Sequence, residues 1–501
     1  MTIRGFDLPH GDRLDCDVVI VGAGPGGGAV ARVLAGAGLD VVQVEEGPGE
    51  SRFRPSWANT ARYHLQEGGS MIVQGPVPFP VVAGRGVGGG SLVNSAICFR
   101  MPDRILEEWV ELLGDERYLP DSIATTYAEI EQRIGVVPVS PAIAGENNMI
   151  VARGVEKLGL QGGLLNRNAP GCVGCGICNY GCPTGGKASV DQNLIADALA
   201  TGNLRIQADC RVIDVLLDGD RASGVVGQLR HPDTRELGGT VEIRARKGVV
   251  LSAGALGTPR LLWSCGLAER CGPVGDRLFL HPGTGVVGVC DHEVHMWRGA
   301  TQGAYVWDPE NPDVLPHTFS APPEVFVAQS GAVGLEAKKL LGQINHLCGL
   351  GVMVHDKGRG TVRATKSGRV DLHYTWDPED VEVMKRGMVL SARVLLAGGA
   401  REVFATAFRA RRHTTPESMA EELETMPLSD MLLYSAHPMA TCAMGTDPAT
   451  SVLDSRGRSH ALAGLWFMDA GAFPTSLGVN PQLTTMTVST LNARAMLEDL
   501  T

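Results

Sequence analysis

The sequence predicts an α/β protein, with a mostly parallel, dinucleotide-binding sheet interleaved with a second, α+β unit built on an antiparallel sheet. Three observations lead there. A strand, a glycine-rich turn, a helix and a second strand follow one another at the start of the chain. Residues 246–266, RKGVVLSAGALGTPRLLWSCG, repeat the strand, glycine turn and helix. Ligand-type motifs stand at both ends of the chain with a different kind of sequence between them, as in two interleaved domains rather than beads on a string.

Residues 16–21, CDVVIV, are the short Val- and Ile-rich run of a buried parallel strand. GAGPGG and an Ala- and Leu-rich stretch to Leu39 follow, then a second strand over 40–47, DVVQVEEG. This is a βαβ unit. Residues 50–100 lack a period and hold many Gly and Pro, which reads as extended ligand-contacting loops. The stretch 104–135 reads as helix, broken at Leu119-Pro120. A cluster of Cys occupies 172–182, and 190–200 is helix-like again. From Leu204 to Leu229 strands are joined by a turn. Residues 285–430 mix alternating strands, such as GRVDLHYTW, with a helix near 379–398.

Composition narrows the function. At 501 residues the chain has room for roughly three domain-sized units. Hydrophobic residues at 44% and charged residues at 20% describe a globular chain rather than a disordered one. Gly supplies 65 residues, well above the usual ~7%, and clusters in motifs, which points to backbone lying close to a ligand. A net charge of −11 argues against nucleic-acid binding and leans toward neutral or cationic partners. No run of 18 apolar residues occurs, so no transmembrane segment is expected. The first residues, MTIRGFDLPHGDRLDCDVVIV, lack a basic stretch followed by an apolar core. The expected location is therefore cytoplasmic, with the twelve Cys mostly thiols.

The first motif carries the clearest chemistry. Gly22, Gly24 and Gly27 take the key places of G-x-G-x-x-G, for a tight turn, a backbone approach to pyrophosphate and close helix–strand packing. The helix start behind them offers free N–H groups to phosphate. Glu45 closes the second strand 23 residues after Gly22, near the ~20 expected for a ribose-binding acid. This fingerprint alone does not separate FAD from NAD.

Four further motifs resemble those of the glucose–methanol–choline oxidoreductases. Gly84-Arg85-Gly86-Val87-Gly88-Gly89-Gly90-Ser91-Leu92-Val93-Asn94 is similar to the family's first signature, and Ser252 to Leu262, SAGALGTPRLL, to its second. His437-Pro438-Met439-Ala440-Thr441-Cys442-Ala443-Met444-Gly445 resembles the segment with the catalytic His. Leu465-Trp466-Phe467-Met468-Asp469-Ala470 to Asn480-Pro481 resembles the closing flavin segment. The resemblance spans about 15–110, 170–290 and 430–497, in the family's order. It implies a Rossmann-like FAD-binding domain over 1–110, 170–290 and 435–501, and a substrate domain over 111–169 and 291–434.

The resemblance also implies oxidation of an alcohol to a carbonyl. Gly22, Gly24, Gly27 and Glu45 would hold the ADP half of FAD. Arg85, Gly89, Gly90 and Asn94 would lie near the flavin, with Asp469, Ala470 and Pro481 in the segment beside it. His437 would act as general base, with hydride passing to flavin N5, and Asn480 would hold the substrate oxygen. Some members carry a covalent flavin on a His near the first signature. Here no His lies between His64 and His231, so FAD is expected to be non-covalent. Ala440 and Ala443 stand where the family often has Gly and Arg. His281, which also resembles a family position, and Lys187 are read as structural.

Cys172-x2-Cys175-x2-Cys178-x3-Cys182-Pro183 has the spacing of a ferredoxin-like ligand run. A [4Fe–4S] cluster on all four thiolates, a [3Fe–4S] on three, a zinc ion or plain thiols each fit it, with iron–sulfur leading. The expected substrate is a small-molecule alcohol such as a sugar, amino sugar or cyclitol. The alternatives are a sterol or long-chain alcohol oxidase, or an electron-transfer flavo-iron–sulfur subunit. O2, a quinone or a partner protein would take the electrons.

Overall fold

The computed structural model describes residues 2–4, 13–50 and 53–500. Much of the N-terminal stretch read above for a secretory signal lies outside them. Two sheets organise the chain. The first has eight strands, ordered Thr2–Arg4, Leu204–Ala208, Val41–Val44, Arg13–Val21, Leu237–Leu251, Arg221–Arg230 and Cys210–Asp218, with Leu465–Phe467 also paired to Leu237–Leu251. Strands from Thr2–Arg4 to Leu237–Leu251 run parallel, and Val18, Val19, Ile20, Val41 and Val42 are fully buried. That burial on both faces is why these strands read as continuous apolar runs.

The strand Leu237–Leu251 serves three partners, Leu465–Phe467 among them. Its first half closes an antiparallel meander with Arg221–Arg230, and after a register shift Gly248–Leu251 pair in parallel with Val18–Val21. The helix Pro25–Gly36 packs on this sheet and against the last helix, Gln482–Leu500, which also touches Pro120–Arg133. Ile123, Tyr127 and Ile130 of Pro120–Arg133 sit in the core around the parallel sheet.

The second sheet has six antiparallel strands, ordered Glu402–Ala405, Gly283–Val289, Leu347–Val354, Val314–Thr318, Ala304–Trp307 and Gln161–Leu164. The helix Pro378–Gly398 covers it, burying Val383, Met384, Met388, Val394 and Leu395. Leu347–Val354 is buried along its whole length, as the central strand of a covered sheet must be.

The predicted helix over 104–135 forms as two, Asp103–Leu113 and Pro120–Arg133, with left-handed Gly114 ending the first and Pro120 opening the second. Residues 50–100 are less irregular than predicted. Ser56 caps a helix, Trp57–His64, by accepting from the Asn59 N–H, and Met71–Val73 pairs with Phe79–Val81. The helix Gln482–Leu500 gave no amphipathic signal because residues around its whole circumference, Thr484 to Thr490, are buried.

Candidate active site

A cavity of about 1420 Å³ opens between the two sheets, bounded by the glycine loops of the first and by one face of the second. A single small-ligand pocket seldom exceeds ~1,000 Å³, so there is room here for a dinucleotide and a substrate together. Gly22, Gly24, Glu45, Arg85, Gly89, Gly90, Asn94, Asp469, Ala470, His437, Asn480 and Pro481 all line it. Gly27 stands just behind the wall, where its role is packing. A Cβ there would lie 2.1 Å from the Gly22 carbonyl oxygen. At Gly90, by contrast, a Cβ would enter open space inside the cavity. The helix Pro25–Gly36 starts with no side-chain cap, so its first N–H groups face the cavity unclaimed. These features fit a dinucleotide such as FAD.

Glu45 is placed differently from the plain ribose acid expected. It is buried and accepts from the N–H groups of Ala23 (3.0 Å), Gly47 (2.9 Å) and Gly86 (2.9 Å). It therefore ties the first glycine loop to the Gly84–Asn94 loop. Burial raises its carboxyl to about 7 against those three donors, with the Glu46 charge adding to the rise. Sequence reasoning missed Glu46, which pairs with Arg211 (2.8 Å) and Arg260 (3.1 Å) at the same end of the cavity. Burial opposes its charge, but Arg260, Arg211 and Arg85 hold it well below the usual carboxylate range. Its place next to Glu45 was the available signal. Arg85 is buried, donating to the carbonyls of Arg62 and Tyr63.

Asn94 donates to Gln482 Oε1 at 2.7 Å and accepts from the Ala96 N–H, so both ends of its amide are used within the protein. Gln482 also donates to the Ile97 carbonyl and to Asn168, joining the Gly84–Asn94 loop to the segment of Asn480. Asp469 accepts from Gly254 N, Thr258 Oγ1 and Gly471 N, at 2.7–2.9 Å. It thereby ties the second signature to the closing segment.

His437 sits on an extended stretch laced to two neighbouring segments. Met439 exchanges backbone hydrogen bonds with Phe279, while Ala440, Cys442 and Met444 donate to Ala470, Gly471 and Ala472. Ala440 adopts φ +65°, a left-handed conformation that favours glycine. Asn480 Nδ2 lies 3.3 Å from His437 Nε2, and the amide donates when that nitrogen carries its lone pair. That tautomer leaves Nε2 basic. Burial, aided by nearby His317, lowers the imidazole to about 3, so it is neutral at ordinary pH.

His281 packs edge-on to His437, with ring centroids 5.5 Å apart. Its Nε2 accepts from the N–H groups of Leu477 and Gly478, which fixes a neutral ring with its proton on Nδ1. Buried Asp356 accepts from Leu280 N, Tyr374 Oη and Ser476 Oγ, binding the His281 turn to the loop before Asn480. His281 thus acts through position. His317, on the second sheet, also lines the cavity, with Nδ1 3.5 Å from Gln302 Nε2. Nothing local in the sequence distinguished it among thirteen His.

The cysteine run is a correction to the sequence reading. Among the described residues, no group of three or more His, Cys, Asp or Glu is placed to hold a metal ion. Cys172, Cys175, Cys178 and Cys182 lie near one another, with protein groups rather than a metal as their hydrogen-bond partners. Cys178 Sγ accepts from Arg167 Nη2 at 3.1 Å, and Cys172 Sγ lies 3.8 Å from Nη1 of the same guanidinium. Cys182 Sγ accepts from the Lys187 N–H, and Cys175 is exposed. The fully buried Arg167 and Lys187 place positive charge beside these sulfurs. Lys187, also buried, donates to the carbonyls of Leu92 (2.8 Å), Asn94 (2.9 Å) and Cys178 (3.1 Å). The segment therefore braces the Gly84–Asn94 loop.

Comparison with known proteins agrees with this arrangement. The N-terminal and C-terminal descriptions of the GMC oxidoreductase family match residues 62–283 and 356–489. An uncharacterized GMC-type oxidoreductase of Mycobacterium tuberculosis is 34% identical over 97% of this chain and 76% of its own length. A long-chain-alcohol oxidase of Arabidopsis thaliana is 30% identical over 97% of this chain and 68% of its own. Among solved structures, pyridoxine 4-oxidase from Mesorbium loti superposes with a TM-score of 0.75 at 19% identity, covering 96% of this chain and 99% of that one. That last likeness concerns the fold.

Proposed function

The chain belongs to the GMC oxidoreductase family and is an FAD-dependent oxidoreductase, and on that footing we propose that it oxidises the hydroxyl of an apolar, long-chain or sterol-like alcohol to a carbonyl. The observation that carries the reading is the His437–Asn480 pair in a cavity whose remaining wall is largely apolar.

The residues divide the work as follows. Gly22, Gly24, Gly89, Gly90, Asp469 and Ala470 would hold FAD without a covalent link. Bound FAD supplies the hydride acceptor. Asn480 donates to the substrate oxygen and holds it against His437. The lone pair on His437 Nε2 takes the hydroxyl proton, and burial keeps that nitrogen unprotonated in readiness. His281 and the Asp356 network keep the imidazole and Asn480 in register. We assign the FAD-binding role to 1–110, 170–290 and 435–501, and the shaping of the alcohol pocket to 291–434, since no residue of 111–169 lines the cavity. The helix Pro120–Arg133 packs on the FAD side.

The lining favours an apolar alcohol over a sugar or cyclitol. Beyond His437 the wall includes Val287, Phe319, Phe326, Leu340, Phe404 and Leu433. A sugar would bury hydroxyls against these side chains at about 1–3 kcal/mol for each left unpaired. A long alkyl chain gains about 0.8 kcal/mol per buried CH2. Similarity to a long-chain-alcohol oxidase points the same way. Electrons would pass to O2 or another acceptor. The test offers the holoenzyme 1-dodecanol, cholesterol, glucose and glucosamine in air, following carbonyl product and O2 uptake. Carbonyl formed from the apolar alcohols supports the reading. Turnover of the sugars alone would refute it.

A further inference from the structure

We propose that Tyr434, Gln302 and His317 form a second polar subsite on the floor of the active-site cavity, which binds an uncharged oxygen of the substrate remote from the hydroxyl that reacts. This rests on the apolar-alcohol reading of the active site and narrows it to apolar alcohols that carry a further hydroxyl, ether or carbonyl.

The floor is built on glycine. In the six-stranded sheet, Gly351 stands opposite Gly285 on one side and His317 on the other. A Cβ at Gly351 would lie 2.9 Å from Tyr434 Oη and 3.8 Å from His317 Nδ1. One at Gly349 would lie 2.5 Å from the Phe319 ring, and one at Gly283 would lie 3.5 Å from that of Tyr434. Glycine inside a strand weakens it and marks a place that another group approaches closely. Here it lets the Tyr434 and Phe319 rings lie on the sheet and brings the Tyr434 hydroxyl beside the His317 imidazole. Tyr434, Gln302, His317 and Phe319 all line the cavity.

The polar atoms of this floor are not claimed by the protein. Among the described residues the Tyr434 hydroxyl makes no hydrogen bond, and His317 Nε2 is buried without a partner. Gln302 Nε2 lies 3.5 Å from His317 Nδ1, which orients the amide, and its Oε1 has no partner among the described residues. Buried polar groups are nearly always paired, and leaving one unpaired is costly. Three such groups side by side, in a chamber that admits a substrate, call for a partner from the ligand.

Charge and reach say what fits. Burial pushes the Tyr434 phenol up to about 12 and lowers the His317 imidazole, so the first keeps its proton and the second stays neutral. A neutral hydroxyl, amide and imidazole suit an uncharged oxygen, whereas a carboxylate is bound best by a cation. The cations that line the cavity are engaged elsewhere. Arg211 and Arg260 pair with Glu46 and Arg412 with Glu402, Arg85 donates to the carbonyls of Arg62 and Tyr63, and Arg409 is exposed. Tyr434 and His437 stand three residues apart on one extended stretch, a span of at most about 11 Å. A single short chain can therefore place one oxygen at the subsite and the other at His437.

The test compares kcat/KM of the FAD-loaded enzyme for 1-butanol, 1-hexanol and 1-octanol with that for the matching α,ω-diols, counted per hydroxyl. In a chamber without the subsite every diol is the poorer substrate, because its second hydroxyl leaves water and finds no partner. With the subsite, the diol of fitting length should exceed its mono-alcohol by about tenfold or more. Tyr434→Phe keeps the ring on the glycine floor and removes only the hydroxyl, and Gln302→Met removes the amide at similar length. Each should cut the ratio of diol to mono-alcohol by about fivefold or more, chiefly through KM, with FAD still bound. The anion of 8-hydroxyoctanoic acid should be a poorer substrate than 1,8-octanediol. A ratio unchanged by Tyr434→Phe would overturn the proposal, as would a preference for the hydroxy acid. Flavin bleaching by 1-octanol with no diol preferred at any length removes the subsite alone. No bleaching by any of these alcohols removes the apolar-alcohol reading and the subsite built on it.

Discussion

Replacing His437 by Ala isolates the proton acceptor. Asn480 Nδ2, 3.3 Å from Nε2, is its nearest polar partner, and the remaining ring contact is with His281. The substitution therefore removes a base and one hydrogen bond but leaves the glycine loops and Asp469 intact, so FAD should be retained. A general base contributes about 10²–10⁴ in rate, or about 2.7–5.5 kcal/mol of barrier. Because burial lowers the imidazole to about 3, it is fully available as a base at pH 7. The parent's rate of flavin reduction should then be flat from pH 5 to 9, with no acid limb near the ordinary His value of about 6.5. The variant, left to solvent base, should speed up with rising pH, so the gap between the two narrows. Anaerobic stopped-flow of flavin bleaching measures both. A His437→Ala rate within threefold of the parent at pH 7, with FAD still bound, would refute the assignment. A parent acid limb near pH 6.5 would instead show that the ring titrates near its ordinary value, and would leave the assignment standing.

Three other outcomes follow from the same structure. Gly27→Ala puts a Cβ 2.1 Å from the Gly22 carbonyl oxygen, so the purified variant should lose most of its FAD, read from the absorbance ratio of flavin to protein. Ala440→Gly relieves a left-handed backbone costing about 1–2 kcal/mol and returns about 0.4–1 kcal/mol in chain entropy. It should raise the melting temperature slightly, and a fall would contradict the strain. His281, His317 and His437 are all held below their ordinary pKa, chiefly by burial. The unfolded chain therefore binds protons below about pH 6.5 that the folded chain refuses. Stability should be full above that value and fall by on the order of 1 kcal/mol per histidine per pH unit below it, seen as a melting temperature that drops between pH 7.5 and 5.5.

The parts of the fold legible in the sequence are those with a local signature. The first βαβ unit was readable because buried parallel strands need apolar runs and the turn between them needs glycine. The break in 104–135 was readable from Pro120. The helix Gln482–Leu500 was not, because burial on all sides erases periodicity. The site was legible where residue type and order carry it, at Gly22–Gly27, His437 and Asn480. It was not legible at His317 or Glu46, which the fold brings in from elsewhere and whose neighbours in sequence say little. Glu45 shows the limit of spacing. Its place in the chain was right for a ribose acid, yet its carboxylate is largely spent on three backbone donors. The cysteine run shows the same limit more sharply. Ligand spacing alone does not say whether sulfurs converge on a metal or, as here, around the Arg167 guanidinium.

The central claim is that the His437–Asn480 pair, in an apolar chamber, removes a proton from an apolar alcohol whose hydride goes to FAD. The most direct measurement is anaerobic titration of the oxidised holoenzyme with 1-dodecanol in micelles, followed at the flavin absorption band, beside an equal titration with glucose. The account predicts full bleaching by the alcohol, with dodecanal as product, and none by glucose. Bleaching by glucose with dodecanol inert would contradict it.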